Sequence, residues 1–268
     1  MGNMNNNIGF IGAGKMASAI INGIIKSGFL PCDSIFIYDI NHDTRKYTSK
    51  NLKVTSVETL EELFETCPTI VVATKPFVID EVLDSIKELI RNHLIISILA
   101  GVSTQKYEKA LDKTRIIRVM PNTPALVGEG MSAICKGKYA YDKDIEFALN
   151  LFSSVGKAIK VEEKNIDLIT AISGSGPAFY YYIIEKIAIA GKKLGLDYDT
   201  ALTLACQTAL GSAKMIFETP DSVEELIRNV TTPGGCTEIG NNILNNSNIE
   251  ETLFKTIKRT MEKAKSLG

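Results

Sequence analysis

The sequence predicts an α/β protein, with a doubly wound parallel sheet at the N-terminus and an all-helical domain at the C-terminus. Two observations carry this prediction. Up to about Val161, short apolar runs alternate with amphipathic segments, and after about Glu162 only helical patterns remain. Apolar strands that alternate with helices are typical of a parallel sheet covered on both faces. We therefore expect a sheet domain at residues 1–161 and a helical domain at residues 162–268.

Five apolar runs predict the central strands of the sheet. Each is rich in Ile and Val and is bounded by Gly, Pro or Asp. This composition and these flanking residues are more typical of buried strands than of helices. Two shorter runs, MSAIC and KAIKV, are expected at the edge of the same sheet. The five central runs are NIGFIGAG, SIFIYD, TIVVATKP, LIISILAG and RIIRVMP.

The second domain opens with a long helix that begins near Pro177. Ser175 can cap it, and proline suits a first helical position. The helix is apolar on nearly every side, so it must be covered all round. The few remaining helices cannot cover it within one chain, and we therefore expect a second copy to do so, in at least a homodimer.

Composition excludes several classes of function. The chain of 268 residues is 45% hydrophobic and 23% charged, with a net charge of -1. A charge this close to zero provides no electrostatic attraction for nucleic acid or an anionic membrane. Apolar runs such as LIISILAGV are far shorter than the ~20 residues that a membrane span requires.

Cysteines, histidines and the N-terminus indicate a reduced, metal-free cytoplasmic protein. Five dispersed cysteines form no CxxC pair, which is typical of free thiols in a reducing compartment. The two histidines, His42 and His93, are too few and too far apart for a zinc site. The N-terminal MGNMNNN lacks the basic and apolar regions of a signal peptide.

A glycine-rich turn predicts a dinucleotide site in the first domain. GAGKMA, at Gly12–Ala17, matches G-x-G-x-x-[GA], follows the first strand and opens a helix. The glycines allow a tight turn and let the backbone approach a pyrophosphate, which then meets the N–H groups of the helix N-terminus. This context makes the sheet domain Rossmann-like.

Polar residues at later strand ends extend the predicted cofactor site. Asp39 ends the second strand, where an acid binds the adenosine ribose and repels a 2′-phosphate, so it favours NADH. Arg45 and Lys46 follow and could instead reach such a phosphate. Lys75 and Asn122 lie at the ends of later strands, where they could contact the cofactor or simply be a solvated lysine and a turn residue.

The stretch VTTPGGCT, from Val230 to Thr237, interrupts the helices of the second domain with hydroxyls, a proline and two glycines. Together with GFIGAGKMA, ATKP, SILAGV, RVMPNTP and SGSGPAF, it resembles the Δ1-pyrroline-5-carboxylate reductase family over essentially the whole chain. The resemblance implies a Rossmann domain followed by an interlocking helical dimerisation domain, with dimers assembled into rings. It also implies reduction of a cyclic imine to L-proline with NADPH or NADH.

The resemblance and the strand ends together indicate the residues of both sites. The cofactor is expected at Ile11, Gly12, Ala13, Gly14, Lys15, Met16, Asp39, Ala73, Thr74, Lys75, Pro76, Ala100 and Asn122. The substrate is expected at Ser175, Gly234, Gly235, Cys236 and Thr237.

The chemistry of a cyclic imine agrees with such a site. A protonated imine is already electrophilic, so the protein must orient the reactants rather than supply a strong acid. The backbone at Gly234 and Gly235 can approach a carboxylate closely, and Thr237 adds a hydroxyl with a catalytic role. Cys236 departs from the Ala or Thr usual in this family, and a small thiol should leave the loop intact. Ser175 could contact the substrate, although capping explains it equally well.

Two alternatives remain open at this point. A β-hydroxyacid dehydrogenase has a similar first domain, and its G-x-G-x-x-x-K motif, laid on Gly174 and Gly176, would place Tyr180 where the catalytic lysine belongs. A nucleotide-binding protein without catalytic activity is the other alternative. Binding of NAD(P)H without turnover of an imine would favour it.

Overall fold

The computed structural model describes residues 6–266, which separate into two compact units. One unit extends to Ser175 and also includes the chain from Arg259 onward, and the other is Gly176–Lys258. The last strand ends at Lys160, close to the boundary expected between residues 161 and 162. That boundary stays a prediction.

Eight strands of the first unit form a single sheet in the order β3-β2-β1-β4-β5-β6-β7-β8. All neighbouring strands are parallel except β6 and β7. The doubly wound sheet is confirmed, and so are β7 and β8, the two strands that extend it beyond β6. The tiny β3 and the reversed direction of β7 were not anticipated. The strands are β1 Ile8–Ile11, β2 Ile35–Tyr38, β3 Thr55–Ser56, β4 Thr69–Val72, β5 Leu94–Ser97, β6 Arg115–Met120, β7 Gly130–Lys136 and β8 Gly156–Lys160.

The sheet is buried on both faces. Every residue of β1 and β5 is buried, although successive side chains of a strand point to opposite faces. Helices supply the cover with apolar stripes such as Ile20, Ile21 and Ile24. The helices of this unit are α1 Lys15–Lys26, α2 His42–Leu52, α3 Leu60–Thr66, α4 Ile79–Ile86, α5 Thr104–Ala110, α6 Asp142–Ser153 and α7 Ile166–Ile169.

His93 is held neutral beside the sheet. Its Nδ1 accepts the Arg91 N–H at 3.0 Å, so Nε2 carries the proton and donates to the Phe64 carbonyl at 2.9 Å. Burial lowers the pKa of His93 below its ordinary value of 6.5. The unfolded chain therefore takes up this proton at a higher pH than the folded chain does. Stability is fully present above pH 6.5 and falls as the pH drops through the lower pKa of the folded state.

We expect His93→Gln to flatten the loss of stability that the wild type shows as the pH falls below 6.5. Urea unfolding at a series of pH values measures this slope. His42→Gln is the matched control, because the other histidine lies exposed on α2. An equally steep slope in His93→Gln would contradict the assignment.

The second unit consists of helices. In α8, Ala188 is buried, and Gly191 lies so close to α9 that an added Cβ would be 3.0 Å from the Ala201 Cβ. Ala201 and Ala205 are buried on α9, and their small side chains allow the two helices to pack closely. The helices are α8 Gly176–Lys193, α9 Tyr198–Glu218, α10 Val223–Val230, α11 Cys236–Asn245 and α12 Ile249–Lys265, whose last turns belong to the first unit.

The start of α8 differs from the expected one. Ser175 has helical backbone angles, and its N–H donates to the Thr170 carbonyl at 2.8 Å within a π-helical turn, Thr170–Gly174. The predicted cap at Ser175 is therefore wrong, because an N-cap residue has extended rather than helical backbone angles. Pro177 has no N–H for the Ser173 carbonyl, and the Asn122 side-chain amide donates to that carbonyl instead at 3.2 Å.

No helix between residues 6 and 266 combines the length and the apolar character needed to cross a membrane.

Candidate active site

The first unit has a cleft where the strand order reverses. β1 lies between β2 and β4, and the chain leaves these three strands at the same edge of the sheet. The Gly12 N–H donates to the Tyr38 carbonyl at 2.7 Å, and the Ala73 N–H donates to the Ile11 carbonyl at 2.8 Å. Open α/β sheets bind ligands at this reversal point, beyond the carboxyl ends of the strands.

The cleft has a volume of about 900 Å³, which suits a nucleotide cofactor. All the predicted cofactor residues line it except Ala13 and Asn122. The lining residues that were predicted are Ile11, Gly12, Gly14, Lys15, Met16, Asp39, Ala73, Thr74, Lys75, Pro76 and Ala100.

The glycine turn leaves backbone exposed at the floor of the cleft. Gly12 has φ +98°, and a Cβ there would lie 2.7 Å from the Ala73 carbonyl oxygen. Gly14 precedes α1 and would direct a Cβ into open space. Because no side chain caps α1, its first N–H groups are available for the oxygens of a phosphate.

Thr74 provides a polar group that no protein atom satisfies. Its Oγ1 is buried in the wall of the cleft and has no hydrogen-bond partner among the described residues. A buried hydroxyl without a partner costs about 1–3 kcal/mol, and such groups often bind a ligand or water. This hydroxyl, the uncapped helix and the glycine turn together fit a dinucleotide.

Asp39 is fixed by the glycine turn. Its Oδ2 accepts the Ala13 N–H at 2.8 Å, and its Oδ1 accepts the Asn41 N–H at 2.8 Å. Ala13 is itself buried, and this hydrogen bond links it to a residue that lines the cleft. Each carboxylate oxygen keeps a second lone pair for a ribose hydroxyl.

Asn122 lies behind the cleft rather than in its wall. Its Oδ1 accepts the Met131 N–H at 2.9 Å, and its Nδ2 is 3.2 Å from both the carbonyl and the Oγ of Ser173. With these bonds it ties the end of β6 to the π-helical turn. Direct contact between Asn122 and the cofactor stays a prediction.

Several lining residues were missed by sequence reasoning. Met120, Pro121 and Thr123 belong to the strand end that was singled out, so they could have been included. The others come from the ends of two other strands and from helices, and no local motif marks those on the helices. The missed residues from other strand ends and helices are Tyr38, Ile40, Leu60, Val78, Glu81, Val82, Ser85, Ile98 and Leu99.

The predicted substrate loop is a tight turn in the second unit, between α10 and α11. Gly234 has φ +72°, and its N–H donates to the Glu238 carboxylate at 2.8 Å. The Gly235 N–H donates to the Thr232 carbonyl at 2.9 Å. Both glycine N–H groups therefore have acceptors within the loop, which holds the turn in shape.

The available donors of this loop lie at the beginning of α11. No side chain caps this helix, so the N–H groups of Cys236 and Thr237 in its first turn point out of the helix end. Both residues are exposed, as is the Thr237 hydroxyl-bearing side chain. The arrangement can bind a carboxylate and place a hydroxyl beside it. The roles of Ser175, Gly234, Gly235, Cys236 and Thr237 stay predictions.

Two parts of the chain match known protein families. Residues 163–267 match the family described as pyrroline-5-carboxylate reductase dimerisation. Residues 7–101 match the family described as NADP oxidoreductase, coenzyme F420-dependent.

Whole proteins and solved structures agree with these matches. A pyrroline-5-carboxylate reductase of Methanosarcina acetivorans is 40% identical over 98% of both chains, and pyrroline-5-carboxylate reductase 2 of Bacillus subtilis is 37% identical over 96% of this chain and 93% of its own. The Coxiella burnetii pyrroline-5-carboxylate reductase structure has a TM-score of 0.94 at 33% identity, covering 99% of each chain. The Plasmodium falciparum pyrroline carboxylate reductase with NADP bound has a TM-score of 0.88 at 34% identity, covering 100% of each chain. The chain therefore belongs to the pyrroline-5-carboxylate reductase family.

Proposed function

We propose that this protein reduces 1-pyrroline-5-carboxylate to L-proline with NADPH or NADH. The observation that carries the proposal is that one chain combines a nucleotide-sized cleft at the reversal of strand order with a Pro-Gly-Gly turn that opens an uncapped helix. Membership of the reductase family supports the choice of substrate.

The residues of the cleft hold the dinucleotide. The N-terminus of α1 takes the pyrophosphate, Asp39 takes the adenosine ribose, and the Thr74 hydroxyl gains a partner from the cofactor. When bound, the reduced dinucleotide supplies a hydride to the imine carbon.

The loop before α11 holds the substrate. The N–H groups of Cys236 and Thr237 bind the carboxylate, and the positive end of the helix dipole stabilises its charge. The Thr237 Oγ1 hydrogen-bonds the ring nitrogen and thereby orients the C=N bond. Because the protonated imine is already electrophilic, positioning accounts for most of the acceleration.

We expect Thr237→Ala to lower kcat/KM at least roughly tenfold, about 1.4 kcal/mol of transition-state stabilisation. The measurement is NAD(P)H oxidation with pyrroline-5-carboxylate, using both cofactors. Thr252→Ala is the matched control, since Thr252 is an exposed threonine near the start of α12. Unchanged turnover in Thr237→Ala would remove the hydroxyl from the mechanism, and cofactor binding without turnover in the wild type would indicate an inactive nucleotide-binding protein.

The family match to a dimerisation domain indicates self-association. We extend the proposal to a homodimer whose copies assemble into a larger ring, in the cytoplasm. Apolar side chains exposed on α8 and α9 support self-association, and five free cysteines support a reducing compartment. Light scattering on the purified chain measures the size of the assembly.

A further inference from the structure

The Arg45 side chain lies next to the expected ribose site but is paired elsewhere. Its side chain is 8% exposed, and the guanidinium donates through Nη2 to the Glu58 carboxylate. Nη1 is 3.4 Å from the Asp39 carbonyl oxygen, so the guanidinium makes a weak hydrogen bond to the residue expected to bind the ribose. In the described part of the chain, this α2 arginine beside the expected ribose site is thus already paired with Glu58.

Glu58 itself is not part of the cleft. Its side chain is 72% exposed, and its N–H donates to the Glu62 carboxylate at 3.1 Å ahead of α3. Because Glu58 is so exposed, Glu58→Gln removes its charge without opening a cavity at that position. The charge of Glu58 can therefore be removed without changing any residue that lines the cleft.

Other cations do not replace Arg45. Lys15 and Lys75 line the cleft, but they belong to the glycine turn and to the end of β4, on the pyrophosphate side. His42 and Lys46 are exposed on α2 and do not belong to the lining of the cleft. The group that remains at the ribose end is the fixed carboxylate of Asp39, which repels a 2′-phosphate.

From this arrangement we infer that Glu58 is a specificity-determining residue, which makes the site select NADH by withholding Arg45 from a 2′-phosphate. The inference rests on the proposed function, since it assumes that a dinucleotide binds in the cleft. It goes beyond that function because it assigns the choice of cofactor to a residue outside the cofactor site.

The test is equilibrium binding of NADH and NADPH to the full-length protein in the absence of imine. Nicotinamide fluorescence measures the binding. We expect the wild type to bind NADH at least roughly tenfold more tightly than NADPH. In Glu58→Gln the freed Arg45 should tighten NADPH binding roughly fivefold or more and leave NADH binding nearly unchanged. Glu61→Gln, an exposed neighbour on α3 with the same change of charge, is the matched control and should leave both affinities as they are.

Arg45→Ala distinguishes an arginine paired with Glu58 from one that is free to bind a 2′-phosphate. In the wild-type background it should leave the ratio of the two dissociation constants unchanged, and in the Glu58→Gln background it should abolish the gain in NADPH affinity. Three results would each overturn the inference. The first is a wild type that prefers NADPH, and the second is a selective loss of NADPH affinity in Arg45→Ala alone. The third is a Glu58→Gln variant whose ratio of dissociation constants for the two dinucleotides equals that of Glu61→Gln. A protein that binds neither dinucleotide overturns the proposed function as well, whereas one that binds and oxidises NADH with an unchanged ratio overturns only the role of Glu58.

Discussion

Gly12→Ala should weaken NADH and NADPH binding at least about a hundredfold, or roughly 2.8 kcal/mol. The added Cβ would lie 2.7 Å from the Ala73 carbonyl oxygen, so the turn and the end of β4 must separate. The positive φ of +98° adds strain of about 1–2 kcal/mol for any residue with a side chain. Both effects act where the backbone has to approach a pyrophosphate. Fluorescence titration of each dinucleotide measures the loss.

Gly28→Ala is the matched control for this variant. Gly28 has φ +71° just after α1, but a Cβ there would meet nothing within 4 Å. The Gly28→Ala variant should therefore lose some folding stability but keep the wild-type affinity for the cofactor. If Gly12→Ala bound the dinucleotides as the wild type does, the cofactor would not lie against this turn.

Ile183→Asp combined with Ile187→Asp should weaken self-association at least about a hundredfold, because each buried isoleucine contributes roughly 1.5–3 kcal/mol and a symmetric interface contains each position twice. Tyr180, Ile183, Ile187 and Leu194 follow helical spacing along α8 and its C-terminal turn, and within one chain they are 66%, 39%, 55% and 89% exposed. Exposed apolar stripes often mark protein–protein interfaces, and α8 lies within the residues that match a dimerisation family. Sedimentation velocity over a range of concentrations measures the change.

Lys193→Asp serves as the control, since it places a carboxylate at an exposed, already charged position of α8. It should sediment like the wild type and keep the wild-type melting temperature. The double variant should melt at a lower temperature, because association stabilises the folded chain. An unchanged sedimentation coefficient in the double variant would show that this stripe is not the interface.

The strands and the cofactor turn could be predicted because their signals are local. A buried strand needs an apolar run a few residues long, and a pyrophosphate turn needs two glycines between a strand and a helix. These patterns are complete within NIGFIGAGKMA and the runs that follow it. The direction of β7 had no such signal, because an apolar run reads the same whichever way the strand points.

Side-chain roles were harder to predict wherever two distant segments compete for the same group. The Asn122 amide donates to Ser173, 51 residues away, while its contact with the cofactor stays a prediction. Ser175 was expected to cap α8, but a π-helical turn carries the helix through it. Pro177 has no N–H, and the buried Asn122 amide requires hydrogen-bond partners, which explains both outcomes. Neither contact can be predicted from a short stretch of sequence.

The sequence by itself determined the order of strands and helices, the glycine turn, the acid after β2 and the Pro-Gly-Gly loop, since each depends on residues that are neighbours along the chain. Only the tertiary structure decided which groups remain available to a ligand. It paired Arg45 with Glu58 and left the Thr74 hydroxyl without a partner. The physical reason is that a buried polar group takes the best partner that packing brings within about 3 Å, and the chain positions of the two residues do not limit that choice.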